Sequence, residues 1–329
     1  MKKYLFITID TEEDLWGNYN VKNPPVENIK NLYKLQEIFE KYSAVPTYLM
    51  NYPVAKNKEA VRILKKLHEQ KKCEIGTHCH PWNTPPYEED PNEYNSFLCN
   101  LPEDLIKAKL DNLHNLIAEN FSALPTTFRA GRWGFGITVE KAICRLGYKI
   151  DTSITPYCDW GNYSGPVFDS VRNFPHGLHQ MKAHCLKDEN CFKCNKFSYC
   201  ILEIPPSIGF LQDNFLLANK FRNILKNKPY EKLRLIGILE RLRLLNFRFL
   251  SPELSGCGDM VKLIEAMIRN GYRFFNMFFH STSLLPGNSP FVTNQRDLYL
   301  FLSKIDRFLA FATKHHIACV GTSKAIEIL

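Results

Sequence analysis

The sequence has no apolar run approaching the roughly 18 residues needed to span a bilayer, which argues against an integral helical membrane protein. It has no internal repeat at a fixed period and no low-complexity tract, which excludes solenoids, propellers and disordered tails. A secretory leader is not evident either. Lys2 and Lys3 precede the apolar YLFITI, but Asp10, Glu12, Glu13 and Asp14 end that stretch before an apolar leader core or cleavage site can form. The segment is expected to be a first β-strand. With nothing directing export, the cytoplasm is the expected compartment.

What is present is a chain of 329 residues, 45% hydrophobic and 23% charged, ordinary values for a protein with a substantial core. Its eleven cysteines are odd in number and unaccompanied by a leader, so reduced thiols are expected rather than a disulfide framework. The net charge of +8 suits an anionic partner: a nucleotide-linked or phosphorylated sugar, a lipid-linked saccharide, or an anionic membrane surface. Nucleic acid has no support beyond that charge.

In the first half, short apolar runs alternate with helical-period stretches. YLFITI, a helix over Ile29 to Tyr42, VPTYLM, a helix over Ala60 to Glu69 and CEIGTH follow in turn, the order of βαβ units with parallel pairing. A second round gives a helix from Leu101 to Asn120, TTFRAG, a helix over Thr138 to Leu146 and the strand GYKIDTSI. The rhythm breaks between about Tyr157 and Tyr199, where Gly, Pro, Asn, His and Cys accumulate, as in an elaborated loop or insertion. Beyond CILEIPP the pattern is helical and basic from Asp213 to Arg248. A helix over Gly258 to Asn270, an aromatic strand over Tyr272 to Phe279, a helix from Gln295 to His315 and IACVGT follow. About seven strands with intervening helices fit one incomplete, distorted parallel (β/α)7 barrel over residues 1–329, with an open doubly wound sheet as the alternative. Either architecture places its site at the C-terminal strand ends.

Those ends carry the chemistry. FITIDTEED sets Asp10 and Glu12 two apart, on one side while the strand persists, and EIGTHCHPW does the same for His78 and His80. An HxH pair beside carboxylates offers the nitrogen and oxygen ligands of a borderline divalent ion, Zn²⁺ above all. Further strand-end residues are Arg129 and Arg132 in FRAGRWGFG, Asp151 in DTSITPY, and His280 after FFNMFF.

With these motifs the chain resembles the NodB-homology polysaccharide deacetylases, carbohydrate esterase family four, and most of all their WalW-like branch associated with lipopolysaccharide biosynthesis. The resemblance covers nearly the whole chain. It implies a TIM-like (β/α)7 barrel and metal-dependent N-deacetylation of a sugar or glycan intermediate. Asp10 falls on the family's general base, Arg129 on the arginine that orients it, and His280 on the general acid. Glu12, His78 and His80 fall on the metal ligands, and Trp82, Arg132 and Asp151 are candidates for substrate contact. The sequence departs from the family twice. Only Cys79 separates the two histidines, where the family has a spacing of three, and Thr11 replaces an adjacent aspartate. Glu13 and Asp14 therefore remain alternatives to Glu12.

Two features lie outside this set. Cys185, Cys191, Cys194 and Cys200 have the density of a second, structural Zn²⁺ site, against the alternative of a loop of free thiols. Between Lys220 and Arg248, nine Lys or Arg residues face only Glu231 and Glu240, interleaved with Leu and Ile, as in a helix resting on the inner face of a membrane or a plain solvated helix. Removal of a formyl group or another small acyl group would use the same catalytic residues, and a silent carbohydrate-binding protein would dispense with them.

Overall fold

The computed structural model describes residues 2–18, 23–168, 201–226 and 235–328. The Cys185, Cys191, Cys194 and Cys200 cluster lies outside them. The strands are β1 (Lys3–Thr11), β2 (Thr47–Met50), β3 (Glu74–Cys79), β4 (Thr127–Ala130), β5 (Ile150–Asp151), β6 (Leu202–Glu203), β7 (Ile208–Phe210), β8 (Phe247–Phe249), β9 (Phe274–His280) and β10 (Ile317–Cys319). Strands β9 and β1 to β6 lie side by side in that order, every pairing parallel, and form a curled, incomplete (β/α)7 barrel. Tyr4 and Leu5 of β1 pair with both β9 and β10, and Thr8 to Asp10 pair with both β9 and β2. Strand β10 thus shares one edge of β1 with β2. Between β6 and β9 the barrel is drawn together at Ser207, whose amide donates to the Asn276 carbonyl at 3.0 Å while its hydroxyl accepts from the Asn276 amide at 2.8 Å.

Alternation along each strand separates an inner face from an outer one. On β1, Leu5, Ile7 and Ile9 join the large core under the helices, whereas Phe6 packs inside the barrel with Ile150, Ile204 and Phe274. By parity Thr8 and Asp10 share the inner side. The outer core is covered by α1 (Leu32–Lys41), α2 (Tyr52–Lys56), α3 (Lys58–Glu69), α4 (Glu103–Phe121), α5 (Ile137–Arg145), α6 (Phe215–Lys226), α7 (Leu235–Arg241), α8 (Cys257–Arg269) and α9 (Gln295–Lys314), with a short α10 (Ala325–Ile328) closing the described chain. Local chemistry sets several starts: Asn57 caps α3 by accepting from the Glu59 and Ala60 amides at 3.0 and 2.9 Å, and Asn294 caps α9 from Asp297 at 3.0 Å.

The sequence pattern and the structure part company in two places. The helical period expected through Arg248 stops earlier, and β8 pairs antiparallel with β7 because Phe247 and Phe249 are recruited to aromatic neighbours, Phe210 and Phe278. The strand expected over GYKIDTSI shrinks to Ile150–Asp151, where β4 and β6 supply its only ladder partners.

Candidate active site

Register aligns the key side chains: Asp10 of β1 is opposite His280 of β9, and His78 of β3 is opposite Arg129 of β4. Glu12, His78 and His80, all buried, bring one ligand atom each to within 4.8 Å of one another. Nε2 of His80 is 3.0 Å from Glu12 Oε2, and Nε2 of His78 is 3.6 Å from the same oxygen. Nδ1 of His78 lies 3.2 Å from the Arg129 carbonyl, a contact that orients the ring and turns Nε2 towards Glu12. The HxH spacing places both rings on one side, 4.4 Å apart and edge to face. Gly131 is required beside them, since a Cβ there would collide with His80 Nδ1 and the Cys79 carbonyl.

The electrostatics favour a cation at this point. Burial makes ionisation of Glu12 harder, but hydrogen bonds from His78 and His80 outweigh it and hold the carboxyl well below the usual range. Burial, reinforced by His78, pushes His80 down to about 4, so its ring is neutral. One carboxylate and two imidazoles, converging from three positions, form a donor set that could hold a divalent metal ion. His80 Nδ1 has no hydrogen-bond partner among the described residues. Of the alternatives to Glu12, Asp14 caps the turn at 27–31, accepting from the amides of Glu27 and Asn28 at 2.8 and 3.2 Å. Glu13 turns to Asn51, Asn83 and Trp82. Burial, then the charge of Glu12, raises Glu13 to about 7.

Asp10 sits next to this cluster. Its Oδ1 receives Arg129 Nη1 at 2.5 Å, while Oδ2 faces His280 Nε2 at 3.6 Å. Arg129 is fully buried and spends its other donors on the Thr8 hydroxyl at 2.6 Å and the Thr152 hydroxyl at 2.9 Å. Burial opposes ionisation of Asp10, yet Arg129, then His78 and His280, leave its pKa below the ordinary value.

His280 is held from behind by a residue that sequence reasoning missed. Glu253 accepts from His280 Nδ1 at 2.8 Å, from the His280 amide at 3.1 Å and from the Ser283 hydroxyl at 2.5 Å. Burial lowers the imidazole pKa, but Glu253, then Glu12 and Asp10, raise it to about 9. No local motif announces Glu253; its role comes from β8 delivering the following turn beside the end of β9.

The three expected substrate contacts have different fates. Trp82 is next to the cluster, its ring 4.0 Å from that of His80, and it lines a cavity of about 790 Å³ together with Tyr52, Asn83, Tyr87 and Asn95. Arg132 buttresses that wall by donating to Ser96, which lines the cavity, and by stacking over Phe97 at 4.4 Å. Asp151 lies on the opposite face of the sheet. It pairs with Phe128 and Glu203 in register, not with Arg129, and bonds the Ser153 amide and hydroxyl at 2.9 and 2.7 Å. Burial, then the charge of Asp151, raises Glu203 well above the usual carboxylate range. Thr152, one residue on, is the side chain that faces Arg129.

The loop bearing Trp82 is organised by Lys109 of α4, which is fully buried. Its ammonium donates to the carbonyls of Pro81, Thr84 and Pro86 at 3.0, 2.7 and 2.6 Å and pairs with Glu89 at 2.8 Å.

No family model matches the sequence, and no curated protein does. Solved structures do resemble it in fold. The Xyl-CE4 domain of a multidomain xylanase from the hindgut metagenome of Trinervitermes trinervoides aligns over 100% of this chain and 91% of its own, with 9% identity and a TM-score of 0.45. Peptidoglycan deacetylase PdaC from Bacillus subtilis aligns over 99% and 91%, with 11% identity and a TM-score of 0.39. A protein from Mycobacterium smegmatis assigned as a polysaccharide deacetylase aligns over 100% of this chain and 91% of its own, with 13% identity and a TM-score of 0.53, so this chain shares the fold of that protein.

Proposed function

We propose that the protein is a metal-dependent N-deacetylase of an N-acetylated sugar or glycan intermediate in cell-surface polysaccharide or lipopolysaccharide biosynthesis. The observation that carries the reading is the convergence of Glu12, His78 and His80 beside an Asp10–Arg129 pair and a Glu253–His280 pair. The name of the Mycobacterium smegmatis protein whose fold this chain shares points the same way. A divalent ion held by Glu12, His78 and His80, Zn²⁺ by the chemistry of the donors, would supply Lewis-acid polarisation of the acyl oxygen and a water of lowered pKa.

The remaining steps belong to side chains. Asp10, ionised and with Oδ1 fixed by Arg129, uses Oδ2 to accept the proton of the attacking water. His280, charged at neutral pH, gives the proton at Nε2 to the departing sugar nitrogen, which would otherwise leave as an amide anion. Glu253 at Nδ1 fixes the ring's orientation and keeps its charge. The two proton-transfer atoms lie 3.6 Å apart on adjacent strands, so both can serve one reacting centre. The aromatic and amide side chains of the adjoining cavity suit a saccharide face, with Trp82 linking cavity and cluster.

The test is acetate release from N-acetylglucosamine oligosaccharides and nucleotide-linked N-acetyl sugars by wild-type protein and Asp10→Asn. The variant should lose on the order of a hundredfold in rate while keeping its metal. Near-normal turnover would remove Asp10 from the role of base, and formate in place of acetate from N-formyl analogues would change the acyl group assigned.

A further inference from the structure

The surface of α6 and α7 does not behave as a solvated outer layer. On α6, Phe215, Ala218, Asn219 and Leu225 face the core. The opposite face presents Leu216, Leu217, Phe221 and Ile224, exposed at 53%, 63%, 45% and 46%. At 100° per residue these four and Lys220 fall within one sector of the helix, so α6 is apolar on both sides. α7 packs against it, buries none of its own side chains fully, and with the residues after it exposes Ile238, Leu242 and Leu244. A contiguous apolar face of this size on a surface marks a contact with something outside the fold.

The charges indicate what that is. Lys220, Arg241 and Arg243 are exposed on these two helices and the turn after α7, and form no ion pair among the described residues. The nearby acids already have cationic partners, Asp213 with Arg269 and Glu240 with Arg248. Apolar side chains ringed by uncompensated cations are the pattern of a helix pair lying in the headgroup region of an anionic bilayer. No helix among the described residues is long and apolar enough to cross a membrane, so the contact is with its surface.

We infer that α6 and α7 form a membrane-docking face for anionic lipid. This inference is independent of the deacetylase reading. The face is anchored to the rest of the fold: Arg222 stacks over Phe247 at 3.8 Å and donates to the Tyr157 carbonyl at 3.1 Å, and β8, which carries Phe247, leads directly into Glu253.

The experiment is co-sedimentation of the full chain with vesicles of pure phosphatidylcholine and with vesicles in which about a third is phosphatidylglycerol. The protein should bind the anionic vesicles only, with affinity falling as salt rises. The double variant L217E/F221E, altered at two exposed positions, should lose at least about tenfold in binding. Lys220→Glu combined with Arg241→Glu should abolish the preference for phosphatidylglycerol. Circular dichroism checks that both variants fold. No sedimentation with anionic vesicles, or equal binding by L217E/F221E, overturns the inference. So does a dimer in light scattering that L217E/F221E dissociates while wild-type protein ignores vesicles, an outcome that would assign the face to a second copy of this chain.

Discussion

Replacing Glu253 with Gln keeps the size of the side chain and removes its charge. In the native protein the buried imidazole of His280 titrates near 9 instead of the ordinary 6.5, a preference for the charged ring of about 3 kcal/mol. Burial works against that charge, and the two largest opposing contributions both come from Glu253, through its charge and its hydrogen bond at 2.8 Å. The smaller pulls of Glu12 and Asp10 then remain to offset burial, so the ring should return to about its ordinary value or below. A cation held at Glu12, His78 and His80 cancels the share due to Glu12, which places the alkaline limb of wild-type turnover somewhat under 9. In Glu253→Gln that limb should move down by on the order of two pH units, with a loss near pH 8 of about tenfold or more, while the acid limb set by Asp10 stays. A pH profile of acyl release from both proteins, with metal content measured alongside, checks this.

The same change has a second reading in stability. A histidine with a raised folded-state pKa contributes fully below its unfolded value near 6.5 and loses that contribution as pH rises towards about 9. Chelator-treated wild-type protein should therefore lose stability across that window, and Glu253→Gln should flatten the slope. An alkaline limb that does not move in the variant would refute the assignment of His280 as the acid poised by Glu253.

Two further outcomes follow from residues outside the proton-transfer pair. Lys109→Met leaves Glu89 and three carbonyls without their buried donor, so chemical denaturation should show a loss of about 3 kcal/mol or more, with a raised KM if the Trp82 loop shapes the saccharide site. If Cys185, Cys191, Cys194 and Cys200 hold a second metal, alkylating agents should spare them until a chelator is added, and rapid alkylation of all four in untreated protein would leave them as free thiols.

Much of the site was legible because it sits at strand ends, where two-residue spacing puts side chains on one face. Asp10 with Glu12 and His78 with His80 followed from strand parity carried one residue past the ends of β1 and β3. Parity fails when the strand's extent is misjudged. Asp151 was a strand-end candidate for substrate contact, yet β5 is two residues long and its register puts Asp151 opposite Phe128, not beside Arg129. The choice among Glu12, Glu13 and Asp14 was closed to sequence reasoning, because Asn28, Asn51 and Asn83, which claim the latter two, arrive from other segments. Glu253 and Lys109 were invisible for the same reason. Lys109 occupies a helix whose pattern would tolerate a solvated lysine, and only the loop at 81–89 folding over it makes it a buried cation. The barrel itself was readable from the alternation of apolar strands and amphipathic helices, while β7 and β8 were not, since their pairing depends on aromatic contacts made across the chain.

The most direct test of the account is a calorimetric titration of Zn²⁺ into chelator-stripped protein, wild type against His80→Ala. Counting the difference between the two makes the result independent of any metal held by the cysteines. The structure predicts that the variant binds one equivalent fewer, because His80 supplies one of the three ligand atoms that converge among the described residues, and that it remains folded. Equal stoichiometry and affinity in the two proteins would contradict a metal centre at Glu12, His78 and His80, and with it the proposed hydrolytic chemistry.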